Sequence, residues 1–221
     1  MTDQLMSSTW LLGRPKTGTC LLYLVRHGTT TLNVENRYRG RRDIPLDAQG
    51  YQDAVDAARR LSSIGLAAVY TGPLRRTIAT AQIIADEARV PDIRILHGLN
   101  NLDYGAWEGM TAEEAAAFDP GEFARYRTSP TRAACPLGER LADAQQRMID
   151  ALRLIGERHA GETVAAVTHA VMIRLAVVQL GKINGESWRL PVGRGSVTAF
   201  AIADGSIMLA APPAGGAADG G

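Results

Sequence analysis

Leu21-Leu22-Tyr23-Leu24-Val25-Arg26-His27-Gly28-Thr29-Thr30 begins as a nearly unbroken apolar run and stops abruptly at Arg-His-Gly. A run rich in Leu and Val, without polar alternation, reads as a strand buried on both faces. Ligands of open parallel α/β sheets bind at the carboxyl ends of such strands. Arg26 and His27 therefore stand where an anion is handled, and the imidazole is a candidate nucleophile.

Working outward, strands and helices alternate. A helix is expected from about Ala48 to Ile64, with Tyr51, Val55, Ala58 and Leu61 inward and Gly65 at its C-cap. Ala67 to Tyr70 is a short strand, and Thr71 can cap a helix carrying Arg75 and Arg76 in its first turn. Ile93 to Leu96 is a third strand, and Gly98 to Gly109 a loop. Thr111-Ala112-Glu113-Glu114 is a capping box for a short helix, which Asp119-Pro120-Gly121 breaks. Phe123 to Pro136 has no settled period. Arg140 to His159 is a strong amphipathic helix, Thr163 to Thr168 a buried strand and Val171 to Leu180 an apolar helix. Ser196 to Ile202 and Ile207 to Ala211 close the set. The pattern predicts an α/β three-layer sandwich with a mostly parallel central sheet and helices on both faces. Residues 19–211 are expected to form one domain with a lid insertion at about 110–137, an N-terminal extension over 1–18 and a disordered tail over 212–221.

Composition narrows the function classes. The 221 residues are 46% hydrophobic and 21% charged, ordinary globular values, with a formal net charge of +1. That near-neutral balance argues against a nucleic-acid binder, although Arg37 to Arg42 form a dense basic segment. Cys20 and Cys135 read as reduced thiols of a cytoplasmic protein. No run approaches the roughly 20 apolar residues of a membrane span, so no membrane partner is expected.

Two strands end in histidine, at His27 and His169, whereas His97 and His159 lack that context. His159, near a helix C-terminus, reads as a solvated cation. His27 and His169 with Arg26 and Arg76 form a cationic cluster at one sheet edge. Phosphoryl transfer needs positioned positive charge, which guanidinium forks supply bidentately. A neutral imidazole can attack phosphorus and divide one hard step into two. No Cys/His/Asp cluster has metal-ligand spacing, so neither a metal nor a cofactor is expected.

Leu24-Val25-Arg26-His27-Gly28-Thr29 with Asn33 resembles the signature of the histidine phosphatase superfamily, the phosphoglycerate mutase-like proteins. Leu74-Arg75-Arg76 with Thr80-Ala81 is similar to its second arginine motif, Asp103 to Gly109 to its acid loop, and Thr168-His169-Ala170 to its second histidine motif. The resemblance covers Leu21 to about Ile202 and is greatest to the small broad-specificity phosphatases. It implies His27 as nucleophile and Arg26, Arg76 and His169 as the phosphoryl cradle. Asn33 would be a neutral donor, with Thr29 and Arg39 near the phosphate or the site mouth. The implied ligands are phosphate and a phosphorylated small molecule; a homodimer through the sheet edge near Ser196 to Ile202 is possible.

Three positions depart from the family pattern: Gly72 stands for Ser, Ala170 for Gly, and Asn101 for the Glu that protonates the leaving group and later activates water. Asn cannot titrate and can only position water or a substrate hydroxyl. Four readings follow. Another acid, Asp103 or Glu108, substitutes; the leaving group needs little protonation; the chain binds phospho-ligands without turnover; or Asn101 was introduced to trap a substrate complex. The favoured function is a metal-independent phosphatase of a small metabolite, working through a phosphohistidine. The runner-up enzyme is a protein phosphohistidine phosphatase. The long insertion, with Phe118, Phe123, Arg125, Tyr126, Arg127 and Arg132, suits a covered small-molecule pocket instead.

Overall fold

The computed structural model describes residues 18–180, 188 and 190–211, except for the side chains of Asn33 and Val34. The tail expected over 212–221, and the expected extension apart from Gly18, lie outside the described residues. The elements are, in order, β1 (Cys20–Arg26), α1 (Thr31–Val34), α2 (Ala48–Leu61), β2 (Ala68–Thr71), α3 (Arg75–Ala88) and β3 (Ile93–Ile95). Then follow α4 (Ala112–Phe118), α5 (Pro120–Thr128), α6 (Leu141–Arg158), β4 (Thr163–Thr168), α7 (Ala170–Gln179), β5 (Val197–Ala203) and β6 (Ser206–Leu209). The six strands lie in the order β3-β2-β4-β1-β5-β6. The first four in that order run parallel, β5 is antiparallel to β1, and β6 is antiparallel to β5.

The central strands are apolar throughout because both faces are covered. Leu22, Leu24, Val164 and Ala166 pack into one cluster with α6 and α7, while Tyr23, Val25, Ala165 and Val167 pack into the other with α2 and α3. Alternate residues of one pleat thus serve two cores. This is the three-layer sandwich that the sequence predicts.

Several local expectations are corrected. Tyr51 is half exposed; the inward face of α2 is Gly50, Ala54, Ala57, Ala58 and Leu61, whose small side chains admit close packing against α3. Thr71 completes β2 rather than capping α3, whose N-cap is Leu74. Asp119-Pro120-Gly121 starts α5 instead of merely breaking α4: the Asp119 carboxylate accepts from Glu122 N and Pro120 occupies the first turn, which needs no N–H. The 110–137 segment is accordingly packed, with Phe123, Tyr126, Ala133 and Cys135 in the core around Trp107. His159 is buried, not solvated; it bonds the Tyr70 hydroxyl and Glu162, with Arg94 alongside. Nor is the Ser196–Ile202 stretch a sheet edge, because β5 pairs with β1 on one side and β6 on the other. No helix among the described residues is long and apolar enough to cross a membrane.

Candidate active site

The register of β1 and β4 builds the centre of the site. Arg26 pairs with Thr168, and His27 N donates to the Thr168 carbonyl, so the two residues leaving these strands, His27 and His169, stand side by side. Their ring centroids are 5.1 Å apart at an edge-on angle of 63°. His27 Nδ1 lies 2.6 Å from the Gly28 carbonyl oxygen. A carbonyl only accepts, so Nδ1 carries the proton and Nε2 keeps its lone pair. Gly28 is required by close approach: a Cβ there would sit 2.1 Å from the Gly50 carbonyl oxygen in the first turn of α2.

Two helix starts converge on the same end of the sheet. Arg76 is in the first turn of α3 after β2, and His169 is the N-cap of α7 after β4. Neither N-cap residue makes a side-chain cap bond, so first-turn N–H groups and cations share one location. Arg76 is fully buried, donating to the Arg42 and Gly40 carbonyls at 2.7 and 2.9 Å. Arg26 donates to the Val192 carbonyl. Arg26 Nε, Arg39 Nη1, Arg76 Nε and both nitrogens of His169 are buried with no hydrogen-bond partner among the described residues. These groups suit one phosphoryl group, whose oxygens accept several bonds at once.

Burial, reinforced by Arg76, Arg39 and Arg26, holds the His27 imidazole well below its ordinary value; burial with Arg76, His27 and Arg39 does the same for His169. Burial and neighbouring arginines bring Arg26 down to about 10, and burial with Arg39 brings Arg76 down to about 10. Both histidines are therefore neutral at pH 7. The sign for stability follows. Below the ordinary value of 6.5 the unfolded chain binds protons that the folded histidines refuse, so this contribution is present above pH 6.5 and lost as pH falls. Each histidine contributes a slope of up to about 1.4 kcal/mol per pH unit. Urea unfolding at pH 6.5 and 5.5, without phosphate, should show a larger loss for wild type than for the His27→Asn/His169→Asn double variant. Equal losses would refute neutral histidines.

The site opens into a cavity of about 490 Å³. Its lining includes Arg26, His27, Arg39, Asn101, His169 and Ala170 from the expected set. Thr29 is turned away: its hydroxyl donates to Asp53 Oδ2 at 2.6 Å and its N–H bonds the same carboxylate. Thr29 thereby ties the Arg-His-Gly turn to α2, and its hydroxyl does not line the cavity. Asn33 falls in α1, and its side chain is outside the described residues. Of the insertion residues, Tyr126 and Arg127 line the cavity, Phe123 is core, Phe118 is exposed and Arg125 pairs with Glu122.

Asn101 is 5% exposed. Its amide N–H donates at 2.8 Å to the Gly40 carbonyl that also receives Arg76, leaving Oδ1 buried without a partner among the described residues. Arg147 fixes its backbone, donating to the carbonyls of Gly98, Asn100 and Asn101 at 2.8–2.9 Å while pairing with Glu139 at 2.7 Å. Arg147→Met should cost about 2–3 kcal/mol in urea unfolding. Arg147→Lys should recover less than half, because one ammonium cannot span the fork. A loss below about 0.5 kcal/mol for Arg147→Met, the range of ordinary surface changes, would refute this role.

Asp103 and Glu108 do not line the cavity. Asp103 accepts from Gly105 N and pairs with Arg41, while Glu108 accepts from Arg41 N and lies 3.8 Å from Arg42. Arg37, Arg41 and Arg42 of the basic segment are thus paired with carboxylates, Arg37 through Glu114. Cavity residues that the sequence did not single out are Arg174, Trp188, Arg194 and Tyr38. Arg174 is one turn beyond Ala170 on α7, the one helical signal available; the others arrive from loops.

Comparison with known proteins follows this geometry. Phosphoserine phosphatase 1 of Hydrogenobacter thermophilus is 35% identical over 153 residues, 69% of this chain and 72% of that protein. The metal-independent phosphoserine phosphatase of Arabidopsis thaliana is 32% identical over 164 residues, 72% of this chain and 68% of that protein. The solved structure of Bacillus stearothermophilus YhfR matches with a TM-score of 0.77 at 36% identity, over 86% of this chain and 95% of that one. Residues 22–211 match the histidine phosphatase superfamily (branch 1), and the chain belongs to that family.

Proposed function

We propose that the chain is a phosphoric monoester hydrolase acting on a phosphorylated small metabolite through a phosphohistidine at His27. One observation carries the reading: His27 Nδ1 is tied to the Gly28 carbonyl, which leaves the Nε2 lone pair at a cavity lined, among the described residues, by six arginines and no carboxylate. The phosphoserine phosphatases named above support a small phosphorylated substrate.

Nε2 attacks phosphorus in line with the leaving oxygen. Arg26, Arg39, Arg76 and His169 donate to the equatorial oxygens, where charge is spread in the transition state. Because Gly28 holds the ring and burial keeps it neutral, little reorganisation accompanies attack. Water then attacks the phosphohistidine. Asn101 Oδ1, an acceptor without a partner among the described residues, can orient that water. The 110–137 segment contributes Ala112, Tyr126 and Arg127 to the cavity wall and covers the substrate. Rapid mixing with 4-nitrophenyl phosphate and quenching without acid should trap an acid-labile phosphoryl group on His27. Turnover without that adduct, in wild type and His27→Ala alike, would overturn the mechanism.

A further inference from the structure

Among the described residues the cavity offers the leaving group no proton donor. Asn101 has no proton to give: one amide N–H donates to the Gly40 carbonyl, Oδ1 only accepts, and the amide does not titrate. Asp103 and Glu108 are engaged with Arg41, Gly105 and Arg42 outside the cavity. Besides arginines, the remaining titratable lining groups among the described residues are two neutral histidines, of which His27 is the nucleophile, and Tyr38, Tyr104 and Tyr126. Tyr104 and Tyr126 bond each other at 3.0 Å, and burial pushes Tyr38 up to about 12. None is poised near neutrality, as an efficient general acid is.

What the cavity has instead is further positive charge. Beyond Arg26 and Arg39 it is lined by Arg37, Arg127, Arg174 and Arg194. Arg174 is braced by donating Nε to the Leu190 carbonyl at 2.8 Å, and Arg127 lies over the Phe123 ring at 5.9 Å. Neither makes an ion pair with a carboxylate among the described residues. Guanidiniums stabilise a departing oxyanion but cannot protonate it. Such a site favours leaving groups that are stable as anions and carry charge of their own.

Resting on the phosphatase reading above, we propose that the preferred substrate is a phosphoanhydride: the terminal phosphoryl group of an organic diphosphate. Its leaving group is a phosphate monoester that Arg127 and Arg174 hold as it departs. A diphosphate is favoured over an acyl phosphate because the outer cations exceed what one carboxylate needs. The cavity of about 490 Å³ also leaves room for an organic remainder against Tyr126 and Trp188. In the first step the Nε2 lone pair forms the N–P bond while the bridging P–O bond breaks, its electron pair leaving on the organic phosphate. In the second, water oxygen bonds phosphorus and the N–P pair returns to Nε2. One water proton stays on the attacking oxygen and the other passes to a phosphoryl oxygen of the released inorganic phosphate.

The test compares methyl diphosphate, 4-nitrophenyl phosphate and phosphoserine with wild type and Arg174→Met, in EDTA, by phosphate release. For wild type, kcat/KM on methyl diphosphate should exceed that on phosphoserine by about a hundredfold or more, the scale of general-acid help that an alkyl ester lacks here. Arg174→Met should lower the diphosphate value about tenfold while leaving 4-nitrophenyl phosphate within about threefold, as for loss of a desolvated charge contact. Phosphoserine within tenfold of the diphosphate, or equal losses on both other substrates in Arg174→Met, overturns the proposal and leaves the phosphatase reading intact. No turnover of any of the three, with no phosphorylated His27, overturns both.

Discussion

His27→Ala is expected to lower kcat on 4-nitrophenyl phosphate by on the order of 10⁴–10⁶-fold, the scale seen when a covalent nucleophile is removed. The loss should appear in kcat far more than in phosphate affinity. In the proposed mechanism Arg26, Arg39, Arg76 and His169 hold the anion, and the backbone bonds that fix Arg26 and Arg76 do not depend on His27. Removing a neutral, buried ring opens a small void beside His169, so the variant should remain folded. Steady-state kinetics with phosphate inhibition on the same sample checks both halves. Less than a tenfold fall in kcat, or loss of phosphate inhibition in parallel with kcat, would show that His27 binds rather than reacts.

Asn101→Glu carries the second large effect, and its direction is upward. It returns a proton donor to the position where the family has one, 5% exposed and on the cavity wall. General acid help is worth roughly 10²–10⁴-fold, and it matters most for the worst leaving group. Turnover of phosphoserine should therefore rise within that range. 4-Nitrophenyl phosphate should gain about tenfold less, since a phenolate departs readily without a proton. The wild-type preference for good leaving groups should flatten accordingly. Equal gains on both substrates, or none on either, would sink the argument that residue 101 withholds the proton.

The legible and illegible parts of the molecule divide along physical lines. β1 and β4 could be read because burial on both faces leaves an unbroken apolar run, and the histidine following each is a local feature. That two such ends become neighbours needs only the parallel register of the sheet. Arg174, Trp188 and Arg194 could not be read, because their approach to His27 depends on where α7 and the following chain return. Thr29 shows the same limit: it stands two residues after the histidine in sequence, yet Asp53 on α2 takes its hydroxyl. Asp119-Pro120 shows a different difficulty, since the same pair ends one helix and starts another. His159 obeyed the sequence rule for a helix end until Tyr70 and Glu162 closed over it. The absence of an acid at residue 101 is legible in the sequence, whereas the placement of Asp103 and Glu108 outside the cavity lining follows from their bonds to Gly105 and Arg41.

The Gly40 carbonyl receives both Arg76 Nη2 and Asn101 Nδ2. Two donors fill its two lone pairs, so the 39–42 loop is clamped between the Arg76 guanidinium and the Asn101 amide. The loop cannot slide toward one without stretching from the other. A side chain at residue 101 with neither N–H nor O–H removes one of those tethers and loosens the loop beside Arg39. Position 101 thus serves the loop as well as the exit, and the protonated Glu of Asn101→Glu, like the amide, has a donor to offer the Gly40 carbonyl.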